Sequence, residues 1–324
     1  MAQITVMMAA YNAEKYLRRA LDSLLAQSFR DFDVIIVNDG SKDDTGAIAD
    51  EYVRADSRIH VIHQENSGVC ITRNRCLDWA YESSDSQWVT FVDSDDWIHP
   101  EMLQRLLQAA QDNRVYISAC GYEETSEADP VIEEAQLEPV LWDPMEFYMA
   151  HHVNALMTCC KLYHKSCYKD IRHPVDNYFD DEFVSYKMLF AQEKMAVIPA
   201  PLYAYFVNTT GLTKKKWTPK FLDAWVAFET QIAFFAEHGR EDLVRFRYRG
   251  YLENCMVNYH AAQEAGDAPE MVAARKRIHK HIRSLLRRMW KLGYIHFWID
   301  FDILYTFYPI WTRIYRLYME LTSK

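Results

Sequence analysis

Glycine is scarce in this chain, with nine in 324 residues, too few for long flexible linkers. No uninterrupted apolar run reaches about 18 residues, so a membrane-spanning helix is not expected. The opening MAQITVMMAAYN has no basic stretch, so it does not read as a secretory signal. Seven cysteines occur, an odd number, and no two are spaced Cys-x-x-Cys. That argues against a disulfide framework or a zinc site and for a reducing cytoplasm. Positive charge is in deficit: the formal net charge is −10, which excludes a general nucleic-acid binder.

What is present is enough for a sizeable core. Half the residues are hydrophobic and a quarter charged, the balance of a globular protein. The length suits one large α/β domain plus an appendage. The deficit of positive charge is uneven. Residues 275–324 carry +8, and the residues before them −18. A tail of that sign meets something anionic.

The first part alternates short apolar runs with helical stripes. ITVMMAA (4–10), FDVIIVND (32–39), IHVIHQ (59–64), WVTFVD (88–93) and VYISACGY (115–122) read as strands. Helical patterns fill 13–27, 41–55, 68–82 and 100–111, with Asp43, Asp44 or Thr45 available to cap the second. This rhythm predicts an α/β fold, a mostly parallel sheet flanked by helices. Apolar strands throughout suit a sheet covered on both faces. Residues 123–139 are acidic and without period, an exposed excursion, and from about Pro219 the chain reads as helical nearly to the end. We divide it into a domain of residues 1–217 and a helical C-terminal region, 218–324.

Acids gather where a ligand of such a sheet would lie, beyond the carboxyl ends of the strands. Tyr11 and Asn12 end the first strand, Asn38, Asp39 and Gly40 the second, and Asp93, Ser94, Asp95 and Asp96 the fourth. Like charges this close repel and raise one another's pKa, so a positive partner is expected among them.

Several segments carry a resemblance: VMMAAYNAEKYLRRALDSLLAQSFRDFDVIIVNDGSKDDT (6–45), NSGVCITRN (66–74), FVDSDDWIHP (91–100), CKLYHKSCY (160–168) and FDDEFVSYKMLF (179–190). In that order they resemble the family 2 glycosyltransferases, which have the GT-A, Rossmann-like fold. The resemblance implies an inverting, metal-dependent transferase using a nucleotide sugar, a UDP-sugar by preference, in cell-surface or capsular polysaccharide synthesis. It implies that Asp95 and Asp93, the Asp-x-Asp pair, hold Mn²⁺ or Mg²⁺ against the donor diphosphate, with Asp96 a third member. Hard carboxylate oxygens suit those ions. It places Ala10, Tyr11, Asn12, Asp39, Gly68, Arg73, Asp93 and Ser94 around the donor, with Asp39 on the base and Arg73 near the diphosphate. The general base that inversion needs would be Asp181, with Asp180 in reserve because the register is loose by one residue.

Each of these residues also has a plain structural reading. Acids favour a helix N-terminus, Asp39 suits a turn before Gly40, Asn12 would cap the first helix, and Arg73 would form a surface ion pair. Asn66 and Ser67 read as helix-start residues. Cys160 stands where the family has Asn, and Phe206 where it has Arg, with Lys214, Lys215 and Lys216 as substitutes. Lys161 would hold or pair with an acid of the site. His151, His152 and His164 show no ligand spacing.

Between Trp290 and Tyr318 lie eleven aromatics, flanked by Arg287, Arg288, Lys291, Arg313 and Arg316. That composition suits a stretch lying in a bilayer interface, at the inner face of the plasma membrane beside a glycan or lipid-linked acceptor. The same stretch would equally serve as a helical subdomain or a homodimer surface. Two rival functions remain: a sugar nucleotidyltransferase, against which the glycine-free MAAYNAEKY counts, and a degenerate transferase that binds sugar nucleotide or lipid without turnover.

Overall fold

Strand β1 (Ile4–Ala10) is buried almost throughout, and so is β2 (Phe32–Asp39). Alternation explains how. Ile4, Val6, Met8 and Ala10 join Leu17, Leu21, Ile48 and Leu103 in one core cluster. Met7, Ile35 and Val37 are buried outside that cluster, where α3 (Val69–Glu82) packs on β1 and β2. A strand covered on both sides has no polar side to show, hence the continuous apolar runs.

The structure, a computed structural model, describes residues 2–126, 128–175, 180–207 and 216–295. It divides into two compact units, Met1–Gly211 and Leu212–Lys324. The remaining elements of the first unit are α1 (Leu17–Leu25), α2 (Thr45–Ala55), β3 (Ile59–Gln64), β4 (Trp88–Phe91), β5 (Trp97–Ile98), α4 (Met102–Asn113), β6 (Ile117–Thr125), β7 (Val140–Trp142), α5 (Pro144–Ala150), α6 (His152–Leu156), β8 (Lys161–His164), α7 (Asp181–Phe190) and β9 (Met195–Phe206). In the second unit α8 (Ala224–Glu237), α9 (Glu241–Glu264) and α10 (Pro269–Lys291) pack successively.

The sheet runs β3-β2-β1-β4-β8-β6-β9-β5, with β7 on β9. Its first four strands are parallel, in a register that sets Ala10 beside Asn38 and Met7 beside Phe91. Three polar turns, 11–12, 39–40 and 93–95, therefore leave the sheet at one edge. The fifth apolar run does not sit next to β4. The short β8 inserts antiparallel between β4 and β6, so the sheet is mixed beyond β4.

Strand β9 was not foreseen, because MAVIPAPLYAYF contains two prolines and proline removes a ladder donor. The register shifts at Cys120–Tyr122 opposite those prolines, a bulge that absorbs them. At its centre a Cβ on Gly121 would lie 2.5 Å from the Pro199 carbonyl oxygen.

Candidate active site

The positive partner of the acids is Arg73. It sits in the second turn of α3 and its side chain is 8% exposed. One terminal nitrogen, Nη1, donates to Asp180 Oδ2 at 2.8 Å and to Asp181 Oδ1 at 2.7 Å. The other, Nη2, donates to Asp93 Oδ1 at 3.0 Å. One guanidinium thus joins the turn after β4 to the start of α7. Burial works against its charge, but the three carboxylates outweigh burial and hold it firmly protonated. Only arginine presents donors in a planar fork that can serve three acids at once. This corrects the surface ion pair anticipated for Arg73: the pair is buried and threefold.

Neighbouring residues fix this hub. Asn74 clamps the chain at residue 173, donating to the His173 carbonyl at 2.8 Å and accepting from its N–H at 2.9 Å. His173 is fully buried against Phe91 and Tyr168, with Nδ1 2.8 Å from Asp180 Oδ2. Burial tends to raise the pKa of Asp180, yet Arg73 and His173 hold it well below the usual carboxylate range. Asp181 moves the other way. Burial pushes it up to about 6, against the pull of Arg73 and helped by the Asp180 charge. Its Oδ1 also accepts from Thr158 Oγ1 at 3.0 Å, and its side chain remains 29% exposed. Two adjacent carboxylates are thereby split into a permanently charged anchor and a reachable, basic one.

The Asp-x-Asp turn divides similarly. Asp93 and Asp95 are half-buried. Asp96 is 2% exposed and turns away, Oδ2 accepting from Tyr203 O–H at 2.6 Å and Oδ1 from Phe206 N–H at 2.8 Å. Burial, then Asp93 and Asp95, push its carboxyl well above the ordinary range. Asp96 is therefore no third member of a cation site; it fastens β9 to the turn. Tyr203 completes the tie by accepting from Asp93 N–H at 3.1 Å. Ser94 lies half-buried between them.

Asp39, 3% exposed at the end of β2, binds the start of α3. Oδ1 accepts from Gln64 Nε2, Ser67 N–H and Ser67 Oγ, and Oδ2 from Gly68 N–H at 2.9 Å and Asn66 Nδ2 at 3.3 Å. Burial opposes its charge, but these bonds win and its pKa lies below normal. A carboxylate offers about four lone-pair directions, so the chain itself uses Asp39 as a cap for α3. Asn66 and Ser67 are helix-start residues, as the sequence indicated. At Gly68 φ is +91° and no heavy atom lies within 4 Å of a Cβ position. The backbone angle, not crowding, demands glycine there.

Asn12 does not cap α1, whose N-cap position is Tyr16. At φ +50° its Oδ1 accepts from Lys42 N–H at 2.9 Å, and its own N–H donates to Ser41 Oγ at 3.0 Å. Ala13 N–H donates to Thr45 Oγ1 at 2.7 Å. The turns after β1 and β2 are laced together, leaving Tyr11 49% exposed above buried Ala10.

Two departures acquire a structural sense. Phe206 packs on Tyr16 and Trp97, and Cys160 is buried at φ +62°. Among the described residues Lys161 forms no ion pair with an acid. Its buried amine donates to the Asn154 and Met157 carbonyls at the end of α6, and burial lowers its pKa. Lys214 and Lys215 lie outside the described residues, as does the tail beyond Ile295. Of the basic residues flanking the aromatic stretch, Arg288 is drawn into its own unit by Glu229 at 2.7 Å. Sequence reading missed His173 and Thr158; a lone histidine before proline carries no signal.

The sequence profile of Glycosyl transferase family 2 matches residues 5–172, and the chain belongs to that family: it is a glycosyltransferase. It is 29% identical over 267 residues to the putative glycosyltransferase EpsH of Bacillus subtilis (strain 168), covering 78% of this chain and 74% of that one. In fold it resembles S. aureus TarS 1–349, solved in complex with UDP-GlcNAc, at TM-score 0.65 and 18% identity over 90% of this chain and 92% of that one. It also resembles the Pyrobaculum calidifontis mannosyltransferase PcManGT, solved with GDP-Man and Mn²⁺, at TM-score 0.55 and 16% identity over 96% and 83%. These likenesses confirm the GT-A fold. Among the described residues no helix is long and apolar enough to cross a membrane.

Proposed function

We propose that the protein transfers a sugar, with inversion, from a nucleotide sugar to a glycan or lipid-linked acceptor in cell-surface polysaccharide synthesis. The donor of choice is a UDP-sugar. The carrying observation is the Arg73 bridge, which brings the Asp-x-Asp turn and the first acids of α7 into one site, Asp180 lying 107 residues beyond Arg73.

Asp181 is the base. It is partly exposed and its carboxyl is raised to about 6, and it takes the proton from the acceptor hydroxyl as the new bond forms. Asp180 anchors Arg73 so that the guanidinium does not surrender Asp181 or Asp93. Tyr11, exposed above Ala10 and Asn12, flanks the base of the donor, and Asp39 shapes the Gly68 turn on its other side. Residues 1–217 form the donor-binding and catalytic part, and 218–324 a helical region whose basic, aromatic end meets the inner face of the plasma membrane.

A divalent cation suits the chemistry of Asp93 and Asp95, two half-buried carboxylates with hard oxygens, of which Asp93 spends one oxygen, Oδ1, on Arg73. A second group, His173, Asp180 and Asp181, has ligand atoms within 4.8 Å of one another. Arg73 already fills it with positive charge, so it fits a cation poorly. Bound at the first pair, Mn²⁺ or Mg²⁺ would offset the donor's diphosphate charge as it departs. The test is release of nucleoside diphosphate from a panel of UDP- and GDP-sugars with Mn²⁺. Metal-dependent release from one of them is expected. Tight donor binding without release would mark a degenerate binder, and neither binding nor release would refute the reading.

A further inference from the structure

Among the described residues helix α10 is the most strongly basic element, against the sign of the chain as a whole. Its 23 residues hold eight Lys and Arg and one acid, Glu270, in a chain of net charge −10. Its apolar side is spent on packing: Met271, Ala274, Ile278, Ile282, Leu285, Leu286 and Met289 are buried. Three of the cations are also accounted for inside the unit. Arg275 pairs with Asp267 at 2.6 Å, Arg288 with Glu229, and the Arg277 guanidinium lies 5.3 Å over the Trp225 ring.

The other five, Lys276, Lys280, Arg283, Arg287 and Lys291, are all exposed. At 100° per residue they fall within an arc of about 80° and climb about 22 Å along the helix. Steps of four, three, four and four keep the stripe straight, and no acid occupies any position within it. Arg283 has a contact of its own within the chain, but Lys276, Lys280, Arg287 and Lys291 still set four like charges on one arc, where they repel one another. At the stripe's C-terminal end Trp290 and Leu292 are 46% and 49% exposed, with the indole on the flank of the same arc.

We propose that this face of α10 is a docking surface for an anionic lipid bilayer. A straight row of cations matches a plane of negative headgroups better than it matches a single phosphate, which needs donors converging on one point. A flanking tryptophan suits the headgroup level, and Lys and Arg stems can lie along an apolar boundary with their charges in water. Nine more aromatics follow in the sequence after Tyr294. The contact rests on the membrane placement of residues 218–324 proposed above and is independent of which donor is used.

The full chain is sedimented with vesicles of phosphatidylcholine alone and with about a third phosphatidylglycerol. Binding only to the anionic vesicles, weakened by salt, is expected. Each cation near an anionic surface contributes roughly a fivefold factor. The variant K276Q/K280Q/R287Q/K291Q should therefore lose on the order of 100-fold or more in partitioning. R245Q/R249Q, on α9, serves as the control and should bind like the parent. UDP and Mn²⁺ binding, measured on the same samples, should be unchanged in the stripe variant, so failure of the donor reading shows separately. Equal partitioning of stripe variant and parent would overturn the proposal. So would indifference of the parent to phosphatidylglycerol, or a stripe that binds duplex DNA instead.

Discussion

Asp180 and Asp181 are neighbours with opposite fates, and the difference is testable. Asp181 must be ionised to accept a proton, and its folded pKa is raised to about 6. Turnover should therefore fall as pH drops through about 6, approaching tenfold per unit below it. Asp181→Asn should cost 10²-fold or more in turnover and leave UDP binding intact; near-normal turnover would remove Asp181 from the base role. The stability signs are opposite too. Asp181 ionises less readily folded than unfolded, so its contribution to stability is present in acid and lost as pH rises through about 6. Asn at 181 should not destabilise the protein at neutral pH. Asp180, held below its unfolded value of about 3.9, contributes stability above that pH that is lost in acid. Asp180→Asn strips Arg73 of its most buried partner and should cost about 3 kcal/mol in a denaturant titration. Asp96 makes a third case. Its carboxyl is pushed well up, so Asn imitates the form it favours and should cost under about 1 kcal/mol. Ala would leave Tyr203 O–H and Phe206 N–H unpartnered, at about 2–3 kcal/mol. Equal costs for the two would show that Asp96 works as a charge.

Among the elements, what sequence showed and what it hid follow a physical division. The runs 4–10, 32–39 and 59–64 are legible to the residue: the first two are buried nearly throughout, as parallel strands between two helix layers are, and the third, half-exposed at the sheet edge, still reads as a short β-branched run. Strand β9 was illegible: Pro199 and Pro201 forbid a regular ladder, and the bulge that accommodates them, Pro199, Ala200 and Leu202 of β9 itself, forms only against β6, some 80 residues earlier. Site residues were legible as types, since acids at strand ends have few structural reasons to cluster. Their wiring was not. Nothing local to Arg73 indicates carboxylates 107 and 108 residues away, nor that Asp39 is consumed by the start of α3. Glycines make the distinction measurable. Gly121→Ala would drive a Cβ to within 2.5 Å of backbone oxygen in the bulge and should cost at least about 2 kcal/mol. Gly68→Ala meets nothing, and only φ +91° opposes it, at about 1–2 kcal/mol. If Gly121→Ala proves the milder of the two, the β6–β9 register is wrong.

The whole chain is acidic, and the part before residue 275 carries −18. A nucleoside diphosphate approaching such a protein meets net repulsion, strongest at the turn that presents Asp93 and Asp95. Arg73 does not relieve it, because its guanidinium is already shared among three carboxylates. A divalent cation can, by adding charge where the chain has none to spare. UDP with Mn²⁺ should accordingly raise the thermal unfolding midpoint. At a ligand concentration of 100 times its dissociation constant the stabilisation is about 2.7 kcal/mol. Chelation should weaken UDP binding at least tenfold, and Asp95→Ala should abolish the increment due to metal. Asp93→Asn loses the same increment and also frees Arg73 Nη2, so some metal-independent UDP binding should return. UDP binding that is indifferent to both metal and Asp95 would mean that the acids after β4 serve the fold alone, and that the donor's diphosphate is held by cations elsewhere in the chain.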